Sequence, residues 1–206
     1  MAQPSAPRSA DDFDRCIAAG GVAVFPADTV YGLACDPENR AAIERLYALK
    51  ARPTGKPSAV MWFDAQRALD ALPELGPRTR ATMQRLLPGG VTLLLPNPNR
   101  RFPLAGGDGL GLRVPEVPLL KGARSVVLQS SANVAGGPDA RRIGDVPAEI
   151  RAGADLVLDA GELPGTPSTV VDLRRLEDAG EWAIVRAGAV PAEVVEEAAR
   201  AGTVSP

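Results

Sequence analysis

Apolar residues along this chain fall into short runs separated by turn residues. Residues 22–25 (VAVF) read as a strand stopped by Pro26. Residues 58–63, 91–95, 110–114, 125–129, 156–159, 169–173 and 182–186 read as further strands. Between them the apolar spacing turns helical. Ser9 is placed to cap a first helix over 10–19, closed by Gly20 and Gly21. Asp36 followed by Pro37 reads as a cap and first-turn proline, opening a helix that runs to about Leu49. Helical patterns follow at 65–72, 77–87, 116–122, 146–152 and 191–201. Strands and helices alternate irregularly, and two strands come close together late in the chain. That order predicts an α/β fold: one domain, residues 9–206, on a mixed sheet rather than a strict βαβ array. Residues 1–8, rich in Pro, Ser and Ala, are expected to be a flexible N-terminus.

One position departs from the apolar stripe it continues. In the second helix Ile43, Leu46 and Tyr47 mark the buried face, and Lys50 lies seven residues beyond Ile43 on that same face. A cation there also meets the negative end of the helix dipole. The chain has three lysines against twenty arginines, and two of the three, Lys50 and Lys56, flank Arg52. Compact point charges beside a planar fork suit phosphate and carboxylate groups.

Composition narrows the chemistry. At 206 residues, 45% apolar and 23% charged, the chain can bury a real core. The net charge of -2 leaves no chain-wide basic field for nucleic acid, so an anion site must be local. Histidine is absent, which removes Ser-His-Asp and Cys-His catalysis and most zinc chemistry. Cys16 and Cys35 form no CxxC pair and fit buried thiols in a reducing cytoplasm. No apolar run approaches membrane-spanning length, and the N-terminus lacks a signal-peptide core. There is no GxxxxGK[ST] loop, and the glycine-rich stretch 106–113 lacks a dinucleotide-binding setting. Asp108 and Asp139 are loop acids and weak metal candidates.

Polar groups recur where predicted strands end. Asp28, Thr29 and Tyr31 follow the first strand; Lys50, Arg52 and Lys56 follow its helix; Arg113 closes a strand; Ser130, Ser131 and Asn133 follow another. Ser168 and Thr169 open a strand and Arg186 ends one. Ligands of open α/β sheets bind in the crevice beyond strand ends. Five cations, several hydroxyls and an amide together suit a pocket for a polyphosphate and a small polar molecule.

The segments PADTVYGL, KARPTGKP, LPGGVTLLL, LRVP, SSANVAGGP, PSTVVD and IVRAGAV, in this order from about Gly20 to Val190, resemble the successive motifs of the YrdC-like family. Its signature pairs Lys-x-Arg (Lys50, Arg52) with Ser-x-Asn (Ser131, Asn133). The resemblance implies a twisted mixed sheet flanked by helices, with a deep, positively charged groove, in the short single-domain form. It implies an L-threonylcarbamoyladenylate synthase, which joins L-threonine, bicarbonate and ATP, with Mg2+, into threonylcarbamoyl-AMP and pyrophosphate. The product serves the threonylcarbamoyl modification of adenosine 37 in tRNA through downstream transfer proteins. Weak contact with tRNA itself is a further expectation, and the membrane has no part.

By the same resemblance Thr29, Arg113 and Ser168 hold threonine. Arg52, Lys56, Ser131, Asn133 and Arg186 hold ATP, and Lys50 with Arg52 carries catalysis. The chain departs from the family pattern at Ala27, where a threonine is usual, at Met61, where some members have a histidine, and at Gly90, where a proline is usual. Two other functions compete: a paralogue that adenylates a different carbamate, and an RNA-binding module without turnover. Eight aromatic residues with no stacking array weigh against the second.

Overall fold

The computed structural model describes residues 10–53 and 58–201. Nine strands form one sheet: β1 (Ala23–Pro26), β2 (Tyr31–Cys35), β3 (Ala59–Met61), β4 (Val91–Pro96), β5 (Gly109–Arg113), β6 (Val127–Ser131), β7 (Leu156–Val157), β8 (Thr169–Arg175) and β9 (Glu181–Arg186). Their order across the sheet is β7-β1-β2-β6-β3-β5-β4-β8-β9. The pairs β1–β7, β3–β5 and β4–β8 are parallel and the others antiparallel, so the sheet is mixed, as the sequence predicts. The helices are α1 (Ala10–Ala18), α2 (Arg40–Leu49), α3 (Ala65–Asp70), α4 (Pro77–Leu86), α5 (Ala148–Gly153), α6 (Leu176–Ala179) and α7 (Ala192–Ala201). The expected flexible segment 1–8 and the Ser9 cap lie outside the described residues.

Strand alternation splits the core into two layers. Val24, Leu33, Leu93 and Leu112 pack with Ile43 and Leu46 of α2, Met83 of α4 and Val195 of α7. On the other face Ala23, Phe25 and Ala34 pack with Phe13 and Ile17 of α1. There the Phe13 ring lies 5.5 Å from Phe25 and 5.3 Å from Phe63. Each fully buried Leu or Phe contributes about 1.5–3 kcal/mol.

The structure corrects several expected boundaries. Strand β2 is not foreseen by the hydrophobic pattern, because its five residues include Gly32 and sit between Asp28-Thr29 and Asp36-Pro37. It forms an antiparallel hairpin with β1, pairing Phe25 with Gly32 and Pro26 with Tyr31. It also lengthens β6, which is expected to end at Gln129 but continues because Ser130 and Ser131 pair with Leu33 and Gly32. Helix α2 does not start at Asp36-Pro37. Asp36 spends its carboxylate on the amide of Glu38 (2.8 Å), and Asn39 is the cap, accepting from Ala42 N at 3.1 Å. The expected helix over 116–122 is a single 3-10 turn, Pro118–Leu120. Beyond β8 lies the unforeseen turn α6, closed by Gly180 at φ 69°.

Tyr31 ties the β1–β2 hairpin to the segment after β7. Its side chain is buried, and its hydroxyl lies 2.9 Å from Asp159 Oδ1 and 2.8 Å from the Gly161 carbonyl while accepting from Ala160 N at 2.9 Å. Burial pushes the phenol up to about 12, so it remains a donor at neutral pH. Removing this hydroxyl leaves the Ala160 amide without its acceptor. Tyr31→Phe should lower the unfolding free energy in urea by about 1–3 kcal/mol. A loss under about 0.5 kcal/mol, typical of inert substitutions, would show that the turn needs no such tie.

Candidate functional site

Alternate residues of the central strands face one cavity of about 670 Å3. Thr92 and Leu94 of β4 and Gly109, Gly111 and Arg113 of β5 line it, stepping by two along their strands, together with Gln129, Ser130 and Ser131 of β6 and Val170 and Arg174 of β8. Polar residues at the predicted strand ends lead to the expectation of a pocket beyond those ends. The cavity instead spans a face of the sheet, with strand-end groups at its margin. Its floor is low because the residues there are small. A side chain at Gly111 would meet Ala59 at 3.3 Å, and one at Gly109 would meet Arg174 at 3.3 Å.

Arg113, the last residue of β5, is 4% exposed. Its Nη2 donates to Asp28 Oδ1 at 2.7 Å and lies 3.3 Å from both Thr29 Oγ1 and the Ala27 carbonyl. Asp28 occupies the tight turn between β1 and β2 at φ 60°, a region that Asp tolerates better than most residues. Burial outweighs its partners and raises the Asp28 carboxyl above its ordinary value; burial likewise lowers Arg113. The Arg113 Nε is buried with no hydrogen-bond partner among the described residues. A guanidinium with an unmet donor is a natural seat for a carboxylate.

Opposite stand two more arginines. Arg186 donates to the Ser168 carbonyl at 2.7 Å through Nη2 and reaches Ser168 Oγ at 3.2 Å. The Ser168 hydroxyl is in turn 2.7 Å from Thr92 Oγ1. Arg52 donates to Ser130 Oγ at 3.1 Å and stacks on the Tyr47 ring, 5.5 Å from its centroid. Arg52, Thr29, Arg113, Ser131, Ser168 and Arg186 therefore meet in one cavity.

Lys50 and Asn133 do not line it. Both are buried behind the wall, at 2% and 8% exposure. Lys50 Nζ donates to the Ser131 carbonyl, to the Asn133 carbonyl at 2.7 Å and to Asn133 Oδ1 at 2.9 Å. The residue between the two cations explains their divergence. Ala51 sits at φ 48°, a left-handed conformation that costs about 1–2 kcal/mol outside glycine. It turns the chain so that Lys50 points inward while Arg52 reaches the cavity. Lys56 lies outside the described residues. Thr169 does not line the cavity either; its hydroxyl donates to the Val190 carbonyl at 2.7 Å.

Gln129 and Arg174, absent from the predicted site, also line the wall, as do the loop acids Asp108 and Asp139. For Gln129 the signal is its place two residues before Ser131; Arg174 lies beyond a register shift in β8 that no spacing reveals. No group of three or more His, Cys, Asp or Glu that could hold a metal occurs among the described residues. Nor is any described helix long and apolar enough to cross a membrane.

A family model covering Sua5, YciO and YrdC proteins, described as Telomere recombination, matches residues 15–188. The chain belongs to the Sua5/YciO/YrdC family. Within it, the threonylcarbamoyl-AMP synthase of Xanthomonas axonopodis pv. citri is 35% identical over 186 residues, covering 85% of this chain and 97% of that one. The counterpart from Chromohalobacter salexigens is 34% identical, covering 84% and 96%. Pyrococcus abyssi Sua5, solved in complex with L-threonine, superposes with a TM-score of 0.79 at 26% identity, covering 92% of this chain and 56% of that longer protein. E. coli YciO shares the fold over 95% of this chain, with a TM-score of 0.75 at 24% identity.

In this Sua5/YciO/YrdC member the Asp28–Arg113 pair is buried on both sides, the carboxylate at 11% exposure and the guanidinium at 4%. Removing one charge from such a pair leaves the other uncompensated. Asp28→Asn keeps a side chain that accepts the left-handed turn and removes only the charge. Thermal or urea unfolding should show a loss of about 3 kcal/mol. An unchanged stability would mean that Arg113 is held by Ala27 and Thr29 alone.

Proposed function

We propose that this chain is an L-threonylcarbamoyladenylate synthase. It joins L-threonine, bicarbonate and ATP and releases pyrophosphate, and its product supplies the threonylcarbamoyl modification of tRNA adenosine 37. The observation that carries this reading is the meeting of Arg52, Arg113 and Arg186 with Thr29, Thr92, Ser131 and Ser168 in one cavity. Curated relatives named threonylcarbamoyl-AMP synthase, matched over most of both chains, support it. A solved relative carrying L-threonine supports the amino-acid subsite.

The chemistry asks for such a cavity. The threonine amine adds to bicarbonate with loss of water, giving a carbamate anion. A carbamate oxygen then forms a bond to the α-phosphorus of ATP, and the bond to pyrophosphate breaks. Nucleophile and nucleotide repel each other. A cation about 4 Å from either charge offsets on the order of 4 kcal/mol at an effective dielectric near 20. Arg113 takes the threonine carboxylate, with Thr29 and Ser168 beside its polar groups. Arg52, Arg186 and Ser131 take the phosphates, and Lys56 belongs with them by its motif. Four arginines, Arg174 included, line the cavity together with Asp108 and Asp139.

Catalysis on this reading is positioning and charge stabilisation, and no protein nucleophile is needed. Mg2+ belongs on the nucleotide phosphates. The cavity offers one carboxylate, Asp139, to an ion otherwise held by substrate phosphates, while Asp108 is turned out to Arg100. The enzyme works in the cytoplasm, hands its labile product to downstream transfer proteins and meets tRNA weakly at most.

Incubation with ATP, Mg2+, bicarbonate and each amino acid in turn, followed by mass spectrometry, tests the reading. Threonine should give an acyl-AMP and release pyrophosphate. Arg52→Ala should lower that turnover by at least about a hundredfold, the range typical for loss of an oxyanion-stabilising group, while far-ultraviolet dichroism stays unchanged. Arg113→Ala should raise KM for threonine more than KM for ATP. Turnover with another amino acid and not with threonine would point to a different carbamate. Salt-sensitive tRNA binding without any turnover would favour an RNA-binding role.

A further inference from the structure

The Lys-x-Arg pair divides its labour, and only one of its cations reaches the cavity. The Lys50 ammonium has three hydrogens and meets three oxygens: the Ser131 carbonyl, the Asn133 carbonyl and Asn133 Oδ1. Its donors are thereby filled by the protein. The same corner is stitched from other directions. Ala135 N donates to the Lys50 carbonyl at 2.8 Å, Ser131 Oγ to Asn133 Oδ1 at 2.7 Å, and Asn133 Nδ2 to the Gly137 carbonyl at 2.6 Å. Lys50 thus grips the chain by side chain and backbone where it leaves β6 and bends. On the cavity side of that bend are Ser130, Ser131 and Asp139.

We propose that Lys50 is a positioning residue: it fixes the corner 131–135 so that Ser131 faces the nucleotide, and it makes no contact with phosphate itself. This inference rests on the reading of the cavity as an ATP site. The charged groups acting on Lys50 are Arg52 and Asp139. Burial, helped by Arg52 and opposed by Asp139, draws its pKa down to about 8.

Two measurements test the proposal on the full chain. The first needs no nucleotide. Amide exchange at Ala135 should quicken by about tenfold or more in Lys50→Met if the lysine closes the corner. Unchanged exchange would overturn the clamp.

The second uses 15N-lysine labelling. The chain has only three lysines, so few signals need assignment. With saturating ATP and Mg2+ the Lys50 ammonium should show no 15N–31P coupling through a hydrogen bond, because its three hydrogens stay on the Ser131 and Asn133 oxygens. A resolved 15N–31P coupling at Lys50 would place the ammonium against phosphate and overturn the proposal. Melting temperature shows whether Lys50→Met still folds, and the coupling measurement on unmodified protein stands without that variant. Failure of ATP to bind, checked by calorimetry, would instead refute the ATP reading. The Ala135 result would still decide whether Lys50 holds the corner.

Discussion

Positive side chains cannot be gathered into one cavity unless each is gripped from behind. Every cation described around this site has such a grip. Arg113 is held by Asp28, Arg186 by the Ser168 carbonyl, Arg174 by Asp172, and Arg52 by Ser130 and the Tyr47 ring. Lys50 has three oxygens to itself. These acceptors offset repulsion between guanidinium groups and fix their directions before any substrate arrives. Preorganisation of this kind is where electrostatic catalysis gains most, since nothing need reorient as charge develops.

The grips follow from the sheet. Strand β5 ends at Arg113 beside the β1–β2 turn only because β6 and β3 bridge the two halves of the sheet. Pairing of β8 with β4 sets Thr169 opposite Val91, which puts Ser168 close to Thr92 and under Arg186. Gly111 and Ala59 keep the floor low where bulkier residues would fill it. Fold and site are therefore one argument: a mixed sheet with one open stretch, ringed by groups that its own register brings together.

Much of this was legible in the residues. The α/β class, the single mixed sheet and most strands follow from short apolar runs and their turn residues. The convergence of Arg52, Arg113, Ser131, Ser168 and Arg186 follows from motif order. The hidden parts have physical reasons. Strand β2 is a five-residue run around Gly32, too short to show alternation, and without it the last two residues of β6 look like loop. The false helix start at Asp36 arises because an Asp before Pro serves a turn as readily as a cap. Nothing in the spacing of Lys50 and Arg52 reveals that they part. That depends on the left-handed Ala51, a conformation the side chain itself disfavours. Gln129 could have been found by stepping two residues back from Ser131 once β6 was placed, whereas Arg174 lies past a register shift in β8.

On the proposed function, two mutually repelling anions are drawn into the same cavity by separate cations. A crystal structure with L-threonine and a non-hydrolysable ATP analogue bound together tests that most directly. It should show the threonine carboxylate on Arg113 and the phosphates between Arg52 and Arg186, with Lys50 still turned to Ser131 and Asn133. Ligands seated in different cavities, or phosphates resting on Arg113, would contradict it.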